Sequence, residues 1–138
     1  VRRHCFTYGS LMCADIMAAV CGVEPAGEPA TLADHRRHPV RGEAYPGMVP
    51  AAGAEVSGVL YRHLPPDALA RLDAFEGPQY VRVTVRVRLP DGAAVEADTY
   101  MFRPEHADEL LPGEWDFDRF LREGKARFQH QYMNSHCR

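Results

Sequence analysis

Residues 80 to 89 alternate without a break. Val81, Val83, Val85, Val87 and Leu89 fall on one side, and Arg82, Thr84, Arg86 and Arg88 on the other. A period of two with one charged face predicts a half-buried antiparallel strand. Asp91-Gly92 follows as a hairpin turn signal, and residues 94 to 103 predict the returning strand. Such a hairpin must bury its valines against further strands or helices, which excludes a helical bundle. The 11 glycines and 11 prolines among 138 residues point the same way, to many turns and short strands.

The rest of the chain supplies those partners. His4 to Tyr8 reads as a short strand that stops at Gly9-Ser10. Cys13 to Val20 has helical spacing, with Ile16, Met17 and Val20 on one stripe, and Cys21-Gly22 suits its end. Thr31 to Val40 has weak strand character. Tyr45 to Pro50 reads as a stiff loop held by two prolines. Glu55 to His63 alternates as a strand. Pro65-Pro66-Asp67 opens a helix whose buried face is Leu69, Leu72 and Phe75, stopped by Glu76-Gly77-Pro78. Asp116 to Tyr132 predicts an amphipathic helix carrying Phe117, Phe120, Leu121, Phe128 and Tyr132. The order β, α, β-rich middle, α, hairpin, helix predicts an α+β fold on a small twisted or barrel-like mixed sheet. One domain is expected over residues 1–138, with 116–138 as a C-terminal helix and tail.

Composition narrows the function. The balance of 16 basic and 19 acidic residues leaves a net charge of −3, which argues against a broad grip on nucleic acid. No stretch nears the roughly 18 apolar residues that would predict a membrane span. Val1 leads straight into a strand-like run without the pattern of a signal peptide, and an initiator Met or a tag is expected to be missing before it. Cys5, Cys13, Cys21 and Cys137 form no Cys-x-x-Cys pair, so reduced thiols and a cytoplasmic location are expected. The seven histidines show no metal-ligand spacing, and His136-Cys137 lacks two further ligands, so no metal is expected. His35-Arg36-Arg37-His38 reads as a solvated strand face.

Two segments could carry chemistry. Around Tyr8-Gly9-Ser10-Leu11, amides from Ser10 to about Met12 could cradle an anion before a helix; equally, Ser10 could be a plain N-cap in a strand–helix turn. Glu76 sits at a helix C-terminus, where partial negative charge and partial burial would both raise its pKa and suit it to proton transfer; equally, it could be a solvated helix-end residue. Asp73 is the only carboxylate placed to pair with it, and no aromatic cluster suggests a sugar cleft. Ser10 lacks a nucleophile elbow, and Cys5 and Cys13 read as small buried residues.

Taken together, Phe6-Thr7-Tyr8-Gly9-Ser10-Leu11-Met12, the Tyr45–Pro50 segment, Val56 to Tyr61, and Leu72 to Arg82 resemble the gamma-glutamylcyclotransferase-like superfamily. Glu114 to Phe120 is similar to its avirulence-induced-gene-two-like branch. The resemblance runs from about Cys5 to about Phe120. It implies a small mixed β-barrel with flanking helices and a probable acyltransferase that needs no cofactor. It implies that Gly9, Ser10 and Leu11 amides hold a substrate α-carboxylate, with Tyr8 opening the loop. It implies that Glu76 is the general acid/base. Tyr80 and Arg82 match the aromatic and basic positions after it, Tyr45 and Pro46 a loop beside the cavity, and Tyr100 a strand facing it. The expected reaction closes a γ-glutamyl amide or amine to 5-oxoproline and releases an amine or amino acid. The expected partner is a small molecule with a free α-carboxylate, the chain being a monomer or homodimer. Two alternatives stay open: a non-catalytic module binding an anionic metabolite, and an acyl-transfer or hydrolytic enzyme using the same Glu on another amide.

Overall fold

A computed structural model describes residues 2–133, the side chains of 132 and 133 excepted. Tyr132 of the expected helical stripe and the His136-Cys137 pair therefore lie outside the described side chains. Five strands are β1 (Arg3–Thr7), β2 (Gly27–Pro39), β3 (Pro46–Leu64), β4 (Tyr80–Arg88) and β5 (Ala94–Phe102). They close a barrel in the order β1-β3-β2-β4-β5. All neighbours are antiparallel except the closing seam, where β1 meets β5 in parallel at Cys5 and Asp98. The fold is α+β, on a small mixed barrel, as the element order predicts.

The hairpin of β4 and β5 is closed by Pro90-Asp91-Gly92. Leu89 N–H donates to the Ala93 carbonyl at 2.8 Å and Gly92 N–H to Leu89 at 2.9 Å. Gly92 has φ 91°, the left-handed position that a three-residue hairpin loop assigns to glycine. This loop sets Arg82 opposite Tyr100 and Thr84 opposite Asp98. Changing the register by one residue would pair opposite faces of the two strands.

One expectation is corrected here. Tyr45 to Pro50 is not a loop; Pro46 to Pro50 begins β3, paired with Pro39 back to His35. Residues 51–54 stand opposite Asp34 alone, and Gly53 N–H bonds the Asp34 carboxylate at 3.0 Å. This bulge bends one long strand into the two pieces that the sequence suggests as loop and strand. Pro46 and Pro39 face each other at the ladder's end, where their missing N–H groups cost least.

Neighbouring strand residues point to opposite faces, which gives the chain two cores. Phe6, Leu32, Met48, Val56, Leu60 and Val87 pack together inside the barrel. Cys5, Tyr61 and Leu64, one step away, pack against helices α1 (Ala14–Cys21) and α2 (Pro66–Glu76). Cys5, Cys13 and Cys21 are buried thiols. The α1 helix ends at Gly22, φ 78°, as expected, and its buried face is Ile16, Met17 and Cys21, with Val20 partly buried against the same core. The α2 helix buries Ala68, Leu69 and Leu72.

The last helix starts on Asp116, whose carboxylate accepts from Asp118 and Arg119 N–H. It runs through α3 (Phe117–Arg119), a π turn (Phe120–Gly124), α4 (Lys125–Phe128) and a second π turn (Gln129–Met133). The wider π turn breaks the 3.6-residue period. Phe120 and Phe128 are buried, but Leu121, expected on the apolar face, is 43% exposed. Among the described residues no helix is long and apolar enough to cross a membrane.

The parallel seam is pinned by one carboxylate. Asp98 is 3% exposed and accepts from Arg3 at 2.7 and 2.8 Å, from Arg82 at 2.9 Å and from Thr84 at 3.2 Å. Burial alone would push its carboxyl up; Arg3, Arg82 and Thr84 outweigh that and hold it below the usual carboxylate range. A depressed folded-state pKa contributes stability at neutral pH that is lost as pH falls through it. Asp98→Asn should therefore lose roughly 1.5–3 kcal/mol at pH 7. The deficit should shrink at strongly acidic pH, as read by urea unfolding of both proteins.

Candidate active site

The Gly9 loop leaves β1 and enters a single 3₁₀ turn, Ser10–Met12, before α1 begins. Met12 N–H bonds the Gly9 carbonyl at 3.0 Å and Cys13 N–H bonds Ser10 at 3.1 Å. Among the described residues, the Gly9, Ser10 and Leu11 amides have no acceptor in the protein. Ser10 and Leu11 are 6% and 5% exposed. Buried amides are otherwise nearly always paired, so these three consecutive free ones form a candidate anion cradle, with donors that an anion can satisfy.

Two details differ from expectation. Met12 is tied into the turn, so the free set is shifted back by one residue. Ser10 caps nothing either: the residue before α1 is Cys13, in extended backbone and without a side-chain cap. The cradle is a turn ahead of the helix, so its donors are individual amides and not the helix end.

Gly9 is required there for space. A Cβ on it would lie 2.8 and 2.9 Å from ring carbons of Pro46. The Pro46 carbonyl in turn accepts from the Tyr80 hydroxyl at 2.8 Å. Tyr8 donates to the Tyr100 carbonyl at 2.6 Å, and Tyr61 to Leu11 at 2.9 Å. Tyr45 donates to the Gln79 side chain at 3.2 Å. These phenols are scaffolding as well as lining. Burial, then the neighbouring Glu76, drives the Tyr8 hydroxyl far above its ordinary range; burial, then Tyr8 and Glu76, does the same for Tyr80.

Glu76 ends α2, with Gly77 N–H closing the helix onto Asp73 at 3.3 Å. Among the described residues nothing hydrogen-bonds or pairs with its carboxyl. Burial pushes it up to about 8, without a charged partner contributing. Glu76 is thus half-buried, without a partner among the described residues, and keeps its proton at neutral pH. Asp73, one turn earlier, is committed: it accepts from Tyr100 at 2.7 Å and lies 3.0 Å from Arg82. It is no free second carboxylate.

Two cavities meet at Glu76. A small one of about 30 Å³ is lined by Tyr8, Gly9, Ser10, Leu11, Tyr45 and Pro46, closed by Glu76, Tyr80 and Tyr100. The structure therefore places around one cavity nine of the ten residues singled out from the sequence, while Arg82 lines the cleft beyond it. A wide cleft of about 620 Å³ opens on the other side of Glu76, Tyr80 and Tyr100. Its walls are charged: Arg3, Asp73, Arg82, Asp98 and Arg103. A third groove, of about 710 Å³, is walled mainly by Val49, Val81, Val83, Met101, Leu110 and Leu111 and holds no carboxylate.

Sequence reasoning missed Arg3, Asp98 and Arg103 as cleft residues. The signal for Asp98 was weak: a lone carboxylate on a strand, meaningful only once the hairpin register is known. It also misplaced Arg37. That side chain is 13% exposed, not solvated, and its guanidinium lies 5.4 Å from the Trp115 ring centroid.

The raised Glu76 pKa has a thermodynamic signature. Between 4.5 and about 8 the folded chain binds more protons than the unfolded one, so Glu76 costs stability increasingly as pH rises through that window. Glu76→Gln removes this slope. Its melting temperature relative to the unsubstituted protein should climb by several degrees between pH 5 and pH 8.5, measured by scanning fluorimetry.

Comparison with known proteins gives this geometry a context. A family profile described as "Gamma-glutamyl cyclotransferase, AIG2-like" matches residues 5–117. AIG2-like protein A of Arabidopsis thaliana is 36% identical over 127 residues, 91% of this chain and 76% of its own length. AIG2-like protein D of the same plant is 34% identical over 117 residues, 83% and 76% of the two chains. A solution structure of an Arabidopsis thaliana protein superposes with a TM-score of 0.74 at 31% identity, over 94% of this chain and 87% of that one. A solved gamma-glutamyl cyclotransferase shares the fold at a TM-score of 0.66 and 20% identity, over 81% and 82%. The chain belongs to the gamma-glutamyl cyclotransferase, AIG2-like family.

Proposed function

We propose that this protein is a gamma-glutamyl cyclotransferase that closes a γ-glutamyl amide or amine to 5-oxoproline. The observation that carries the reading is Glu76. It is a carboxyl with no partner among the described residues, pushed up to about 8, where an anion cradle meets an open cleft. A group poised near neutral pH at such a junction suits proton transfer between two bound fragments.

The substrate brings its own nucleophile. Its α-amine attacks the γ-carbonyl, and the C–N bond to the leaving amine breaks as the lactam forms. The protein's task is to fold the chain and move one proton. The attack is intramolecular already, and folding the chain holds the amine and the carbonyl in a near-attack geometry, which lowers the barrier. Glu76 takes the proton from the attacking nitrogen and returns it to the leaving nitrogen. The Gly9, Ser10 and Leu11 amides hold the α-carboxylate. A space of about 30 Å³ accommodates roughly one water or a carboxylate, not a whole glutamyl group. The ring carbons and the leaving group therefore occupy the cleft, beside Tyr80 and Tyr100. Reduced thiols and a cytoplasmic setting fit this reading.

The test is incubation with a panel of γ-glutamyl amino acids and γ-glutamyl amines, with 5-oxoproline detected by mass. Product should form from at least one member and disappear in Glu76→Gln, while binding of 5-oxoproline persists. Near-native turnover by that variant would remove Glu76 from the mechanism. Saturable binding without product from any member would point to a binding module. Because the base must be ionised, kcat/KM should rise about tenfold per pH unit below pH 8 and level off above it. Gly9→Ala, which drives the loop off Pro46, should lower turnover by about a hundredfold. Its melting temperature should fall by a few degrees as the clash with Pro46 is relieved.

A further inference from the structure

Arg37 is half-buried on β2 in an arrangement that packing alone does not explain. Its Nη1 donates to the Tyr8 carbonyl at 2.7 Å and to the Ser57 carbonyl at 3.2 Å. Its Nε is buried with no hydrogen-bond acceptor; Glu114 approaches only to 3.6 Å. Trp115 covers the guanidinium, its ring centroid 5.4 Å away, and is itself anchored by Nε1 donating to the Ala44 carbonyl at 2.8 Å. Burial lowers the Arg37 pKa against the raising pull of Glu114 and Asp116, and an arginine in a protein keeps its charge. A buried orphan donor costs free energy that a methionine of similar volume would not.

What the guanidinium holds is the peptide that opens the cradle. A trans peptide is planar, so its carbonyl and its N–H point in opposite directions. The Tyr8 carbonyl is turned to Arg37. The N–H of the same peptide, on Gly9, is therefore turned to the other side. Gly9 N–H is also one of the three amides without an acceptor.

Resting on the reading of the cradle as a carboxylate site, we propose that Arg37 is its positioning residue. Clamped by Trp115, it fixes the Tyr8–Gly9 peptide so that the Gly9 N–H faces the ligand. It touches no substrate and takes no part in proton transfer. It is a strut behind the loop, and its positive charge lies behind the donors that meet the anion.

The test compares two probes of one shape, 5-oxoproline and its neutral carboxamide, by equilibrium binding to the full chain. The unsubstituted protein should prefer the carboxylate. Arg37→Met should lose about tenfold of that preference, and Arg37→Lys should retain part of it. A residue needed only for folding would weaken both probes alike and leave their ratio unchanged. A retained ratio in Arg37→Met would therefore overturn the proposal while leaving the cradle intact. No preference in the unsubstituted protein would remove the carboxylate reading itself. Should Arg37→Met fail to fold, Arg37→Lys decides. It keeps the stem and charge but loses the planar fork, and an unchanged ratio in it overturns the proposal.

Discussion

The buried carboxylate of Asp98 is the joint on which the site depends. The seam between β1 and β5 is paired at a single register position, Cys5 with Asp98. Arg3 from β1 and Arg82 and Thr84 from β4 converge on that one side chain. An unpaired buried charge would be costly, so the three donors must arrive together. Arg82 then reaches on to Asp73 in α2, which also takes the Tyr100 hydroxyl. The same short chain of contacts closes the barrel and holds the helix end that presents Glu76.

The cradle is built by a different logic. Gly9, Pro46 and Tyr80 come from three distant segments and meet without any ion pair: a Cβ-less residue under a ring, and a carbonyl under a phenol. Steric contact and neutral hydrogen bonds hold Gly9, Pro46 and Tyr80 together, with Arg37 behind the Tyr8 carbonyl, while ion pairs hold the other side. Glu76 lies where the two meet, half-buried and without a partner among the described residues, which is why its carboxyl holds its proton up to about pH 8.

Much of this was legible from residue patterns. The alternation of β4, the prolines opening α2 and the stop at Gly77 each depend on local chemistry, and local chemistry can be read from neighbours in sequence. Glu76 and the Gly9 loop were found in the same way. Arg37 could not be, because its burial depends on Trp115, which arrives from a segment 78 residues later. The bend in β3 was also hidden: it rests on an Asp34–Gly53 contact across the hairpin. The pairing of Arg82 and Thr84 with Tyr100 and Asp98 required knowing that Pro90-Asp91-Gly92 forms a three-residue loop, since a one-residue difference turns the faces over.

The two cavities share only Glu76, Tyr80 and Tyr100. All other cradle residues come from the β1 loop and its Tyr45-Pro46 neighbour, and all other cleft residues from β1, the end of α2 and the β4–β5 hairpin. Apart from Arg82, Thr84 and Asp98, which hold the seam, the cleft face of that hairpin can therefore change without disturbing the donors of the cradle. Under the proposed chemistry, the half of the molecule that meets the departing fragment is free to diverge while the half that grips the common fragment is not. One scaffold can then be inherited intact by descendants that differ only in what they release.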